Sequence, residues 1–167
     1  MLDIALDADP EWDRKSDWDR LVHRAAEAAV LESAFPQLAS SPRPAELSVR
    51  LARNEDVQEL NASWRGEDRP TNVLSFPLAE AAELADVDVD GPELMLGDII
   101  LAHGVCAAEA SEKGISVEQH AAHLIIHGTL HLIGHDHHDE AEAVDMEARE
   151  VRALARLGIA DPYEGTA

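Results

Sequence analysis

Residues 120–138 read HAAHLIIHGTLHLIGHDHH and contain seven of the nine histidines in the chain. No proline interrupts residues 117–133, and their apolar side chains leave only one polar stripe, so this segment predicts a buried helix. Ser116 is the expected N-cap of this helix, and Gly134 can adopt the left-handed conformation that ends a helix and turns the chain back. We therefore expect a central helix that carries histidines toward one point.

Three of these histidines have the spacing of a metal site. His127 and His131 lie four residues apart, which places their Cβ atoms roughly 5–6 Å apart on one face of a helix. His137 completes the pattern His-x3-His-x5-His, which is the spacing of zinc endopeptidases whose signature continues past a glycine. Geometry alone leaves His135 and His138 as alternatives to His137. We expect one divalent metal ion per chain, with zinc as the first choice, although nickel or copper suit the same ligands.

Two further features of this segment bear on its chemistry. The peptidases carry their general base, a glutamate, directly after the first histidine, whereas this chain has Gly128. Three histidines with an open fourth position still match catalytic zinc, which lowers the pKa of a bound water to about 7. His120 and His123 precede His127 on the same face, and we expect them to line a cleft wall or contact solvent.

Three motifs in order carry a family resemblance: NASWRGEDRPTNVLSFP at 61–77, LGDII at 96–100 and HGTLHLIGHDH at 127–137. Together they resemble the YbeY family of bacterial metal-dependent endoribonucleases, over about two thirds of the chain, residues 46–157. The resemblance implies a single-strand-specific endoribonuclease in ribosomal RNA processing, with small-subunit 3′ end maturation and ribosome quality control as its roles. It also selects His137 as third ligand.

The same resemblance implies a role in activity for Arg65. From the pattern alone, an arginine at the end of a helix is also favoured by the helix dipole. A guanidinium can bind a phosphate through two hydrogen bonds, so we expect Arg65 to hold the scissile phosphate. The alternatives are a ribosome-associated assembly factor with a mainly structural metal and a zinc metallopeptidase, which Gly128 disfavours.

The net charge of −21 is unusual for a protein that acts on RNA. Residues 43–72 carry five arginines and six acidic residues, whereas the other 137 residues carry eight basic and 28 acidic ones. The acidity therefore lies mostly outside the arginine-bearing segment. We expect weak binding of isolated RNA, through two or three phosphate contacts, and ribosomal proteins or assembly factors as further partners. No DNA binding is expected.

Composition also predicts the compartment. There is no run of 18 apolar residues and no basic start followed by an apolar stretch, so neither a membrane span nor a secretory signal is expected. Cys106 is the single cysteine and cannot form an internal disulfide, which fits a reducing cytoplasm. We expect Cys106 to act as a small apolar filler.

The order of elements predicts one α+β domain over residues 1–167, with a small four-stranded sheet and about five helices packed on it. Asn54 is the expected N-cap of the second helix, and Val144 is expected to face the core from the last helix. The segment 79–92 is expected to be a loop or hairpin. The strands are expected at 2–9, 46–52, 71–77 and 94–102, and the helices at 17–35, 55–64, 107–113, 117–133 and 140–157.

Overall fold

Four strands and six α-helices form the part of the chain that the computed structural model describes, residues 1–13, 15–85 and 91–163. The predicted α+β domain with a four-stranded sheet is confirmed, with one α-helix more than expected. The strands are Leu2–Ala8 (β1), Ala45–Ala52 (β2), Val73–Pro77 (β3) and Leu94–Ala102 (β4). The helices are Trp18–Leu31 (α1), Asn54–Arg65 (α2), Ala81–Ala85 (α3), His103–Lys113 (α4), Val117–Leu132 (α5) and Glu140–Arg156 (α6).

The sheet has the strand order β1-β2-β4-β3, so β3 is an edge strand. β1, β2 and β4 are parallel, whereas β3 runs antiparallel to β4. Gly97 has a φ of 140°, and a Cβ atom there would lie 2.2 Å from the carbonyl oxygen of Phe76. Only glycine therefore allows β3 to approach β4 so closely at this position.

Helix α5 lies at the centre of the fold and packs against α1, α4, α6, β3 and β4. Its predicted ends are confirmed: the Ser116 side chain accepts a hydrogen bond from the backbone N–H of Gln119, and Gly134 follows the helix with a φ of 96°. A Cβ atom at Gly128 would lie 3.0 Å from Cγ2 of Ile99. The glycine thus lets α5 pack closely on β4.

Helix α4 begins at His103, four residues earlier than predicted. The reason is a cap from another part of the chain, because Asn54 Oδ1 accepts a hydrogen bond from the backbone N–H of Val105 at 3.1 Å. Asn54 therefore caps α4, and its predicted role as N-cap of α2 is wrong, since Arg53 holds that position. Local sequence could not reveal this contact.

Two further expectations need correction. Ala81–Ala85 form α3 inside the segment predicted as a loop or hairpin, while residues 86–90 of that prediction lie outside the described part. Val144 is 61% exposed, so it does not face the core; the buried apolar residues of α6 are Met146, Ala153 and Leu154. Cys106 is buried, and burial raises the pKa of its thiol to about 12, as expected of an apolar filler. Within the described ranges, no helix has the length and apolar character to cross a membrane.

Candidate metal centre

His127, His131 and His137 converge where α5 ends. One ring nitrogen from each lies within 4.8 Å of the other two, and Nε2 of His127 is 3.0 Å from Nε2 of His131. The turn at Gly134 brings His137 back, so that its ring centroid lies 5.8 Å from that of His127 and 5.1 Å from that of His131. The structure thus brings together the three residues that the sequence spacing selects.

The two alternative histidines point elsewhere. His135 Nε2 accepts a hydrogen bond from the backbone N–H of Ala34 at 3.1 Å, beyond the end of α1. His138 is exposed, and its Nε2 lies 2.7 Å from Oδ2 of Asp136. Among the described residues, neither belongs to the cluster formed by His127, His131 and His137.

The electrostatics of the cluster suit a cation. Burial, and next the neighbouring His127, lower the pKa of His131 to about 4, so its imidazole is neutral at neutral pH and keeps a lone pair for a ligand bond. Asp136 Oδ1 accepts a hydrogen bond from the backbone N–H of His137 at 2.8 Å and lies 3.9 Å from Nδ1 of His131. Three imidazole nitrogens at these separations are a fitting donor set for a divalent transition metal.

A buried carboxylate that the sequence analysis did not single out lies behind the cluster. Glu150 on α6 is 1% exposed, and its Oε2 lies 3.2 Å from Nδ1 of His127. Its Oε1 lies 2.5 Å from Nε2 of His123 and accepts a hydrogen bond from the Tyr163 hydroxyl at 2.8 Å. Burial alone raises the pKa of Glu150, but hydrogen bonds with His123 and His127 outweigh it and lower the pKa to about 2.

The expectation that His120 and His123 line the cleft wall or contact solvent is wrong, because both are buried and neither is among the residues that line the cleft at His127, His131 and His137. His123 contacts Glu150, and His120 Nε2 lies 2.9 Å from Oε1 of Glu109. One signal in the sequence could have found this arrangement: Glu150 lies four residues after Met146 and four before Leu154, on the apolar stripe of α6. A charged residue in such a stripe needs a buried partner.

One cleft of about 540 Å³ joins the three histidines to the end of α2 and the edge strand β3. Arg65 lines it together with Trp64, whose side chain is 71% exposed and lies edge-on to Phe76, with ring centroids 6.0 Å apart. Gly66 ends α2 directly after them in the left-handed conformation. The cleft therefore places an arginine and an exposed aromatic side chain on the same opening as the histidine cluster.

Comparisons with known proteins agree on one family. The profile of the family described as "Endoribonuclease YbeY" matches residues 8–158. A protein of that name from Novosphingobium aromaticivorans is 51% identical over 96% of this chain and 95% of its own length. Another, from Rhizorhabdus wittichii, is 46% identical over 98% of this chain and 97% of its own length. The solution structure of TM1509 from Thermotoga maritima shares the fold, with a TM-score of 0.56 and 23% identity over 95% of this chain and 92% of that one.

Proposed function

Since the chain belongs to the YbeY family, we propose that it is a single-strand-specific, metal-dependent endoribonuclease. The observation that carries the proposal is the cleft in which Arg65 and the cluster of His127, His131 and His137 meet. The name shared by the relatives supports hydrolysis of RNA.

The finer assignments rest on the resemblance in the three motifs. They are 3′ end maturation of small-subunit ribosomal RNA, a role in ribosome quality control, a cytoplasmic location, and ribosomal proteins or assembly factors as partners. A chain of net charge −21 has few phosphate contacts to offer. A protein partner that places the strand at the cleft fits this charge.

In the proposed reaction, His127, His131 and His137 would hold one divalent ion, and zinc suits three imidazole ligands. When bound, such an ion supplies Lewis-acid polarisation of a phosphoryl oxygen and activation of water. Arg65 binds the scissile phosphate through two hydrogen bonds and stabilises the charge that develops on it. Gly128 contributes no base, because glycine has no side chain that could accept a proton.

The open side of the cluster favours catalysis over a structural metal. A structural zinc site is closed by four protein ligands, whereas the cluster in the described residues has three, and the side chain of His137 is 54% exposed. The assembly-factor alternative therefore lacks a fourth ligand within the described part. The peptidase alternative lacks its glutamate, since a side chain at Gly128 would meet β4.

We expect the protein to cleave a single-stranded RNA at least about tenfold faster than the same strand annealed to its complement. Trp64 offers an exposed ring beside Arg65, and stacking of an unpaired base on an aromatic ring contributes roughly 1–3 kcal/mol; a base inside a duplex cannot stack there. Cleavage is followed on end-labelled strands at one concentration of protein and zinc. Equal rates for single strand and duplex would contradict the proposed strand specificity.

A further inference from the structure

Three hydrogen-bonding groups converge on the buried carboxylate of Glu150: His127 Nδ1, His123 Nε2 and the Tyr163 hydroxyl. The two histidines belong to α5 and Tyr163 to the segment after α6, so the Glu150 side chain on α6 links three parts of the chain. We infer that Glu150 is a positioning residue that fixes the tautomer and orientation of His127 for the metal ion. This inference rests on the proposed metal centre.

The Glu150 carboxylate determines which nitrogen of His127 carries the hydrogen. An ionised carboxylate has no hydrogen to donate, so the His127 ring that faces it donates the hydrogen on Nδ1. In the neutral ring, Nε2 then keeps the lone pair. That atom lies 3.0 Å from Nε2 of His131, inside the cluster. Glu150 thereby selects the nitrogen of His127 that is available to a metal.

Glu150 is itself held from the side opposite His127. The His123 ring lies one turn before His127 on α5, and its Nε2 is 2.5 Å from Oε1 of Glu150. Tyr163 donates to the same oxygen at 2.8 Å, and its ring lies edge-on to that of His123, with centroids 5.6 Å apart. The position of the carboxylate is therefore fixed by contacts that do not involve the proposed ligands His131 and His137.

The burial of His123 supports this reading. Nδ1 of His123 is buried and has no hydrogen-bond partner among the described residues. The polar contacts of the ring are therefore made by Nε2, which faces Glu150 and the hydroxyl of Tyr163. A buried polar group without a partner is costly. The arrangement is understandable if His123 serves to hold Glu150.

The inference predicts that Glu150→Gln weakens zinc binding by about 10–100-fold, which is the usual effect of losing a hydrogen-bond partner of a ligand histidine. A glutamine has one acceptor oxygen, and its NH₂ group would face groups that donate. Tyr163→Phe removes one donor at a partly exposed ring and should weaken binding in the same direction by a smaller factor. The matched control is Glu27→Gln, which makes the same change at an exposed position of α1 and should leave zinc binding unchanged.

The zinc Kd is measured by competition with a chromogenic chelator, and the tautomer of His127 in the metal-free protein by ¹⁵N NMR. Thermal unfolding of the metal-free variants separates positioning from simple structural support. We expect Glu150→Gln to raise the Kd and to lose the tautomer with hydrogen on Nδ1. If Glu150→Gln does not fold, the Kd of Tyr163→Phe decides.

Two results would overturn the inference. One is a zinc Kd of Glu150→Gln equal to that of the unaltered protein, whether or not the metal-free variant is less stable. If Glu150→Gln does not fold, an unchanged zinc Kd in Tyr163→Phe has the same meaning. The other is a failure of the unaltered protein to bind zinc, cobalt or nickel, which removes the metal centre and the inference together. RNA cleavage is not part of this test, so its outcome is separate from that of the proposed nuclease activity.

Discussion

Arg65→Ala is expected to cleave single-stranded RNA about 10²–10³-fold more slowly than the unaltered protein, which is the usual effect of losing one group that stabilises transition-state charge. The arginine lines the cleft beside the histidine cluster, where it can act on phosphate without contacting the ion. We therefore expect the variant to keep its fold and its metal. Initial cleavage rates, zinc content and circular dichroism on one preparation measure all three.

The matched control is Arg24→Ala, which removes an exposed arginine from α1, outside the cleft. It should cleave RNA at the rate of the unaltered protein. If Arg65→Ala is as active as this control, Arg65 has no part in the mechanism.

His131→Ala is expected to lose the metal ion and, with it, RNA cleavage. The substitution leaves two imidazoles of the three that converge within 4.8 Å, and an open site with two protein ligands binds a divalent ion far more weakly than one with three. Metal content after gel filtration, measured by elemental analysis, gives the result directly.

His23→Ala provides the control, because His23 lies on α1 and its Nδ1 is 2.8 Å from the backbone oxygen of Asp19, away from the cluster. It should retain a full complement of metal. Full metal content in His131→Ala would mean that the ligand assignment is wrong.

The parts of this molecule that the sequence predicts well depend on local pattern. The helix α5 could be predicted with its Ser116 cap and its Gly134 end, because capping and left-handed glycine are properties of a few neighbouring residues. Local helix geometry also places His127 and His131 on one face, whereas His137 is selected by the motif spacing and the family resemblance and not by geometry alone. Alternating apolar residues predict β1 and β2, strand-forming residues predict β3, and a strongly apolar run predicts β4.

The parts that could not be predicted depend on contacts between distant segments. Asn54 caps α4 across an interval of 51 residues, so the start of that helix was placed too late. His123 and Glu150 lie 27 residues apart and satisfy each other only after α5 and α6 have packed. Val144 has the spacing of the apolar residues of α6, yet it lies on the exposed side of the helix. Its position could not be predicted, because the spacing does not show how wide the buried face of the helix is.

Metal-dependent RNA cleavage in the cleft of Arg65 and the three histidines can be tested on one preparation of the protein. Metal content and cleavage of a single-stranded RNA are measured before chelation, after a chelator has removed the metal, and after zinc is added back. We expect about one divalent ion per chain at the start, loss of cleavage with loss of the ion, and recovery with zinc. Cleavage that continues at its full rate in the metal-free protein would contradict it.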